Sequence, residues 1–167
     1  MRAAAALAAA VLAAGCGYRF QGAEGLPGGV RALAVPVLEN PTLEPELGPV
    51  LAAGLREQFA RTAAVRLVPT EDAEAILRGR VVGFETEAIA FDTAGLAVEY
   101  RATVRLDLLL TDPAGTRIFW ADPGVSGNDT YRATADPLVT EANRREAVRR
   151  IAADLGRSVR DRVIAGF

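Results

Sequence analysis

The chain has no histidine and a single cysteine, and its nineteen basic residues are all arginine, so lysine is missing as well. Without imidazole there is no Ser-His or Cys-His nucleophile pair, no histidine zinc ligand and no ordinary general base near neutral pH. Without lysine there is no Schiff-base amine. What remains is the planar guanidinium, which grips phosphate or carboxylate with two bonds. Ser126 and Ser158 are the only serines, and neither sits in a Gly-x-Ser-x-Gly setting. A lone cysteine excludes an intramolecular disulfide. A net charge of −2 speaks against a general polyanion binder, nucleic acid included. These gaps disfavour an enzyme, and they imply neither a cofactor nor a metal.

What is present is concentrated at the start. Met1-Arg2 is followed by an unbroken small-apolar run from Ala3 to Ala14, then Gly15-Cys16. A positive start, about a dozen apolar residues and a small-residue cleavage site make a secretory signal peptide, too short for a membrane span of ~20 residues. The tail Leu12-Ala13-Ala14-Gly15-Cys16 resembles the bacterial lipobox, with its leucine one step further back than usual. The resemblance implies that Cys16 is the lipid attachment site. Two acyl chains already give stable anchoring at ~0.8 kcal/mol per buried CH₂. Gly17 after the cysteine, where inner-membrane retention would use Asp, implies sorting to the outer membrane. The expected organisation is residues 1–15 as a cleaved signal peptide, 16–29 as a lipidated N-terminus with a flexible tether, and 30–167 as one α+β domain.

Within that domain, Val30 to Leu38 is nearly all apolar and reads as a strand, either covered on both faces or, because of Pro36, at an edge or strand end. A helix begins between Pro45 and Pro49, with Leu47, Val50, Leu51, Gly54, Leu55 and Phe59 on one stripe. Ala75 to Ala90 is a strand with bend points at Gly79 and Gly83. Val98 to Leu110 alternates between an apolar set and a polar set, which predicts one buried face and one polar face. Asp92–Gly95 and Asp112–Gly115 are hairpin turns, and Thr116 onward gives another strand through Tyr131, irregular at Pro123-Gly124. Asp136-Pro137 starts the last helix, whose buried stripe is Leu138, Val148, Ile151, Leu155, Val159 and Val163. The predicted fold is α+β, a two-layer sandwich in β-α-β-β-β-α order. Its sheet is four-stranded and mostly antiparallel, with both helices on one face.

Several stretches together resemble the LPS-assembly lipoprotein family. They are Cys16-Gly17-Tyr18-Arg19-Phe20, Leu26-Pro27, Leu33-Ala34-Val35-Pro36 with Asn40 and Thr42, Asp72-Ala73, Leu77-Arg78-Gly79, Glu99-Tyr100-Arg101, Trp120 with Tyr131, and Glu141 through Ala147. The resemblance implies a non-catalytic outer-membrane lipoprotein, periplasm-facing or inside a barrel lumen. Its partner would be a large outer-membrane β-barrel LPS-assembly protein, joined as a heterodimer that the lipoprotein plugs, and its cargo lipopolysaccharide, with direct lipopolysaccharide contact as a family trait. An accessory lipoprotein of another envelope lipid-transport system, of ABC type, is the alternative.

Candidate contact residues for lipopolysaccharide or barrel lie on the strands: Arg78 and Arg80, then Arg101, Thr103 and Arg105, then Arg117. In one register these form an arginine patch that could clamp phosphates. Alternatively they are a solvated face, paired with Glu85, Glu87, Glu99 and Asp107, each pair contributing only ~0–1 kcal/mol. Glu85 and Glu87 themselves read as solvated carboxylates. Trp120 and Tyr131 read as packing residues, and the two turn tips as exposed contact points.

Overall fold

The computed structural model describes residues 25–166. The signal-peptide run, Cys16 and Tyr18–Phe20 lie outside the described residues. Of the expected tether, residues 25–29 are described: Pro27–Gly29 form a 3-10 turn, and Leu26 before it is buried in the core.

The strands are β1 (Ala32–Ala34), β2 (Arg66–Leu67), β3 (Ala75–Phe91), β4 (Ala97–Thr111) and β5 (Ile118–Arg132). The helices are α1 (Leu47–Ala60) and α2 (Pro137–Ala165). The sheet has five strands in the order β2-β1-β3-β4-β5. β1 runs parallel to both β2 and β3, while β3-β4 and β4-β5 are antiparallel. This corrects the predicted four-stranded, mostly antiparallel sheet: it is mixed, and the order gains a strand between α1 and β3. Two residues, Arg66 and Leu67, are too few to show a periodicity of their own.

β1 reconciles both readings of the Val30–Leu38 run. It is central, fully buried, and stops before Pro36, which cannot donate to a ladder. Glu74 ties its start to β3: its carboxylate accepts from the Arg31 and Ala32 amides at 2.7 and 3.2 Å. Beyond Pro36 the chain follows β3 again, with the Glu39 amide donating to the Gly79 carbonyl at 2.9 Å.

The meander obeys the alternation seen in the sequence. Ala102, Val104, Leu106, Leu108 and Leu110 are buried, and a register shift falls at Val81/Gly83 as expected. Gly79, by contrast, stays in register. A Cβ there would sit 2.5 Å from Leu108 Cδ2 and 2.9 Å from Leu38 Cδ2, so its glycine serves close packing. Gly95 and Gly115 take positive φ in the two hairpin turns. Because successive antiparallel strands reverse direction, these turns lie at opposite ends. The β4-β5 turn shares its end with residue 28, where an added Cβ would meet Phe119 at 2.8 Å.

Both helices cover one side of the sheet. Leu51, Leu55 and Phe59 of α1 join Ile151, Leu155 and Val159 of α2 and Leu77, Val104 and Leu106 of the sheet in one core. The helices cross where small residues permit: a Cβ on Gly54 would lie 2.5 Å from the Ala152 carbonyl oxygen. Asp136 caps α2 by accepting from the Leu138 amide at 2.8 Å, with Pro137 in the first turn, as the sequence predicts. Leu138, assigned to the buried stripe, is instead 80% exposed. It lies in the first turn of α2, ahead of Ala147, the first residue of the helix to be buried.

Candidate functional site

The uncovered side of the sheet carries five of the six candidate strand residues. Residues opposite one another in an antiparallel pair project to the same side. The register sets Arg78 against Leu109, Arg80 against Asp107, Gly83 against Arg105, Glu85 against Thr103 and Glu87 against Arg101. On the far side of β4, Arg105 faces Ser126, Thr103 faces Asn128 and Arg101 faces Thr130. Arg78, Arg80, Arg101, Thr103 and Arg105 therefore share one face. They are strung along it: eight β4 positions separate the rows of Arg101 and Arg78, roughly 25 Å at ~3.3 Å per residue. This is a strip, and no single phosphate could touch all of it.

Most of the strip is already engaged. Arg78 Nη1 donates to the Thr111 hydroxyl at 2.8 Å, and Arg105 pairs with Glu85. Arg80 lies 3.9 Å from Glu39. Among the described residues Asp107 pairs with no arginine; it accepts from the Gly124 amide at 2.8 Å and so holds the bulge of β5 at Pro123-Gly124. Arg101 has no hydrogen-bond or ion-pair partner among the described residues. The patch and solvated-face readings thus divide by residue. Between Arg78 and Arg80 on one flank and Ala121 and Pro123 on the other lies a shallow depression floored by Leu109, with the carboxylates of Glu39 and Asp107 also in its lining. Two guanidiniums and two carboxylates around an apolar floor suit a protein wall of mixed character.

Arg117 does not belong to this strip. It sits at the base of the β4-β5 turn with its guanidinium 4.9 Å from the Phe119 ring centroid. That turn is built by Asp112, whose carboxylate accepts from the Arg117 amide and the Thr116 hydroxyl, which lowers it from the usual aspartate range. The other tip is built in the same way: Asp92 accepts from the amides of Ala94 and Leu96 at 2.8 and 2.9 Å. Glu85 and Glu87 are exposed, and Trp120 and Tyr131 are buried, both as expected. Tyr131 stacks on Tyr100 at 5.5 Å across the strand pair.

A second polar cluster, on the helix side, has no counterpart among the sequence candidates. The loop between β1 and α1 folds on Asn40, whose carboxamide oxygen accepts from the Thr42 amide and hydroxyl and whose nitrogen donates to the Glu44 carbonyl at 2.6 Å. Glu44 and Glu46 then reach α2. Arg144 donates to Glu44 at 2.8 Å and to both oxygens of Glu141 at 2.8 and 3.0 Å, and Arg145 lies 3.6 Å from Glu46. The Arg144 guanidinium also stands over the Phe84 ring at 5.8 Å. Hydrogen bonding with Glu141 holds Arg144 even more firmly protonated than usual, and the same bonds push Glu141 below the usual glutamate range. The signal that could have found it is the i, i+3 and i, i+4 spacing of Glu141, Arg144 and Arg145.

Comparison with known proteins gives one family. The lipopolysaccharide-assembly family LptE matches this chain over residues 30–163. No curated protein matches it. Among solved structures, a candidate lipoprotein of Caulobacter crescentus CB15 is 18% identical with a TM-score of 0.54, the match covering 77% of this chain and 89% of that one. The solution structure of an uncharacterized lipoprotein B from Nitrosomonas europaea is 15% identical with a TM-score of 0.57, covering 90% and 92%. At these identities the likeness concerns the fold.

Proposed function

Because the chain belongs to the lipopolysaccharide-assembly family LptE, we propose that it is a non-catalytic lipoprotein of the outer membrane. It assembles one-to-one with a large β-barrel translocon, occupies the barrel as a plug and serves delivery of lipopolysaccharide to the outer leaflet. The observation that carries this reading is the family match across nearly the whole of the α+β body, residues 30–163. In the same reading residues 1–15 are cleaved, Cys16 is acylated, and residues 16–29 lead to the single domain of residues 30–167.

The physical chemistry of the open sheet face supports the role. A plug needs one face that keeps the molecule folded and another that meets polar protein surface. Here the helices and the inner sheet face supply the first. The strip of Arg78, Arg80, Arg101, Thr103 and Arg105 supplies the second, and its spread over roughly 25 Å suits an extended contact.

Detergent extraction of the lipidated protein from the envelope is expected to bring down a large barrel in a stable one-to-one complex. Mass spectrometry is expected to find an acylated Cys16. Purification without any barrel overturns the reading. If an inner-membrane transporter comes down instead, the accessory role in an ABC-type lipid-transport system takes its place.

A further inference from the structure

The loop over residues 40–46 carries one feature that the sheet face does not explain. Leu43, at its apex, is 99% exposed. A leucine fully in water is commonplace on a slack loop, but this loop is held at every step. Asn40 and Thr42 fix its turn, with the Thr42 hydroxyl also accepting from the Glu44 amide at 3.3 Å. Pro41 and Pro45 flank the apex and narrow its backbone choices. Glu44 and Glu46 fasten the far side of the loop to Arg144 and Arg145 on α2.

We propose that this loop is a preformed docking knob and that Leu43 enters an apolar pocket on the barrel partner. The proposal rests on the reading of the chain as a barrel subunit, and it says where part of that contact is made. Ordering a loop and its side chains on binding opposes association; here that ordering is complete before the partner arrives.

The surroundings of Leu43 select protein over lipid as the occupant. A membrane surface takes a broad apolar face edged by basic groups. The knob is instead a single side chain from a tight loop, and the charges around it are balanced, Glu39 beside Arg80 and Glu46 beside Arg145, so it lacks the basic edge that draws an anionic lipid surface.

The test places a photo-crosslinking residue at position 43 in cells, with a second at position 105 as reference. It also measures the affinity of purified Leu43→Asp and Leu43→Met variants for the barrel. Crosslinks from position 43 to the barrel are expected. Leu43→Asp should weaken the complex about tenfold, near 1.4 kcal/mol, with an unchanged melting temperature, while Leu43→Met binds within about twofold of the parent. Position 43 crosslinking to lipid, or to nothing while position 105 captures the barrel, overturns the knob. So does Leu43→Asp binding as the parent does. These results leave the barrel reading standing, whereas absence of any barrel from the parent preparation overturns both.

Discussion

Arginine is used in two different ways on the two sides of the sheet. On the open side, Arg78, Arg80 and Arg105 each have one partner, and Arg101 has none among the described residues. On the covered side, Arg144 satisfies two carboxylates and an aromatic face at once, and it joins a loop to a helix more than ninety residues away in sequence. The same side chain is therefore replaceable on one side and structural on the other. Single ion pairs in water gain little because solvent screens them and side-chain entropy opposes them. A half-buried guanidinium with several fixed acceptors escapes both penalties.

The comparison can be broken most forcefully at the helix crossing beneath it. Gly54→Val forces a side chain to within 2.5 Å of the Ala152 carbonyl, which only separation of α1 and α2 relieves. A loss of about 3 kcal/mol in urea unfolding is expected. Arg144→Ala comes next. It removes the bonds to Glu44 and Glu141 and leaves two carboxylates facing each other, with an expected cost of about 2 kcal/mol and faster amide exchange at Thr42 and Glu44.

Acid should act on the same cluster by a smaller amount. Glu141 titrates below its ordinary value of 4.5, chiefly through its hydrogen bonds with Arg144. Its contribution is therefore complete above that value and is lost as pH falls through the lower folded-state value, while Arg144 stays charged throughout. Amide exchange in the loop should speed up below about pH 4.5, and Glu141→Gln should flatten that dependence. On the open side, Arg105→Ala should shift stability by less than about 1 kcal/mol and Arg101→Ala by nothing measurable in the same unfolding assay. A large effect from Arg101→Ala would erase the contrast.

How far the sequence could be read follows from the same contrast. Local periodicities were legible. The alternation of β4, the Asp136-Pro137 helix start and the two aspartate-built turns all stand in the structure. The register then brought Arg78, Arg80, Arg101, Thr103 and Arg105 onto one face, as their parity on neighbouring strands implies. What escaped reading depends on distant partners. β2 is two residues long and exists because β1 offers it an edge. Leu138 fits the helical stripe by spacing, but burial in α2 begins only further along the helix. Arg117 is adjacent to β5 yet belongs to the turn, because Asp112 accepts its amide. Arg144 stands in the Glu141–Ala147 stretch, but its structural role comes from Glu44 and Phe84, which lie far from it in the sequence.

β3 is seventeen residues long, and its two ends serve different company. Near its start lie residue 28 and Phe119; at its finish is the Asp92–Gly95 tip, flanked by exposed Phe91 and Leu96. At ~3.3 Å per residue the strand spans roughly 50 Å. The point at which the described chain begins is thus held that far from whatever the tip meets, and the folded body behaves as a ruler. Lengthening the hairpin by a pair of residues on each strand would move its reach by roughly 7 Å without touching the core.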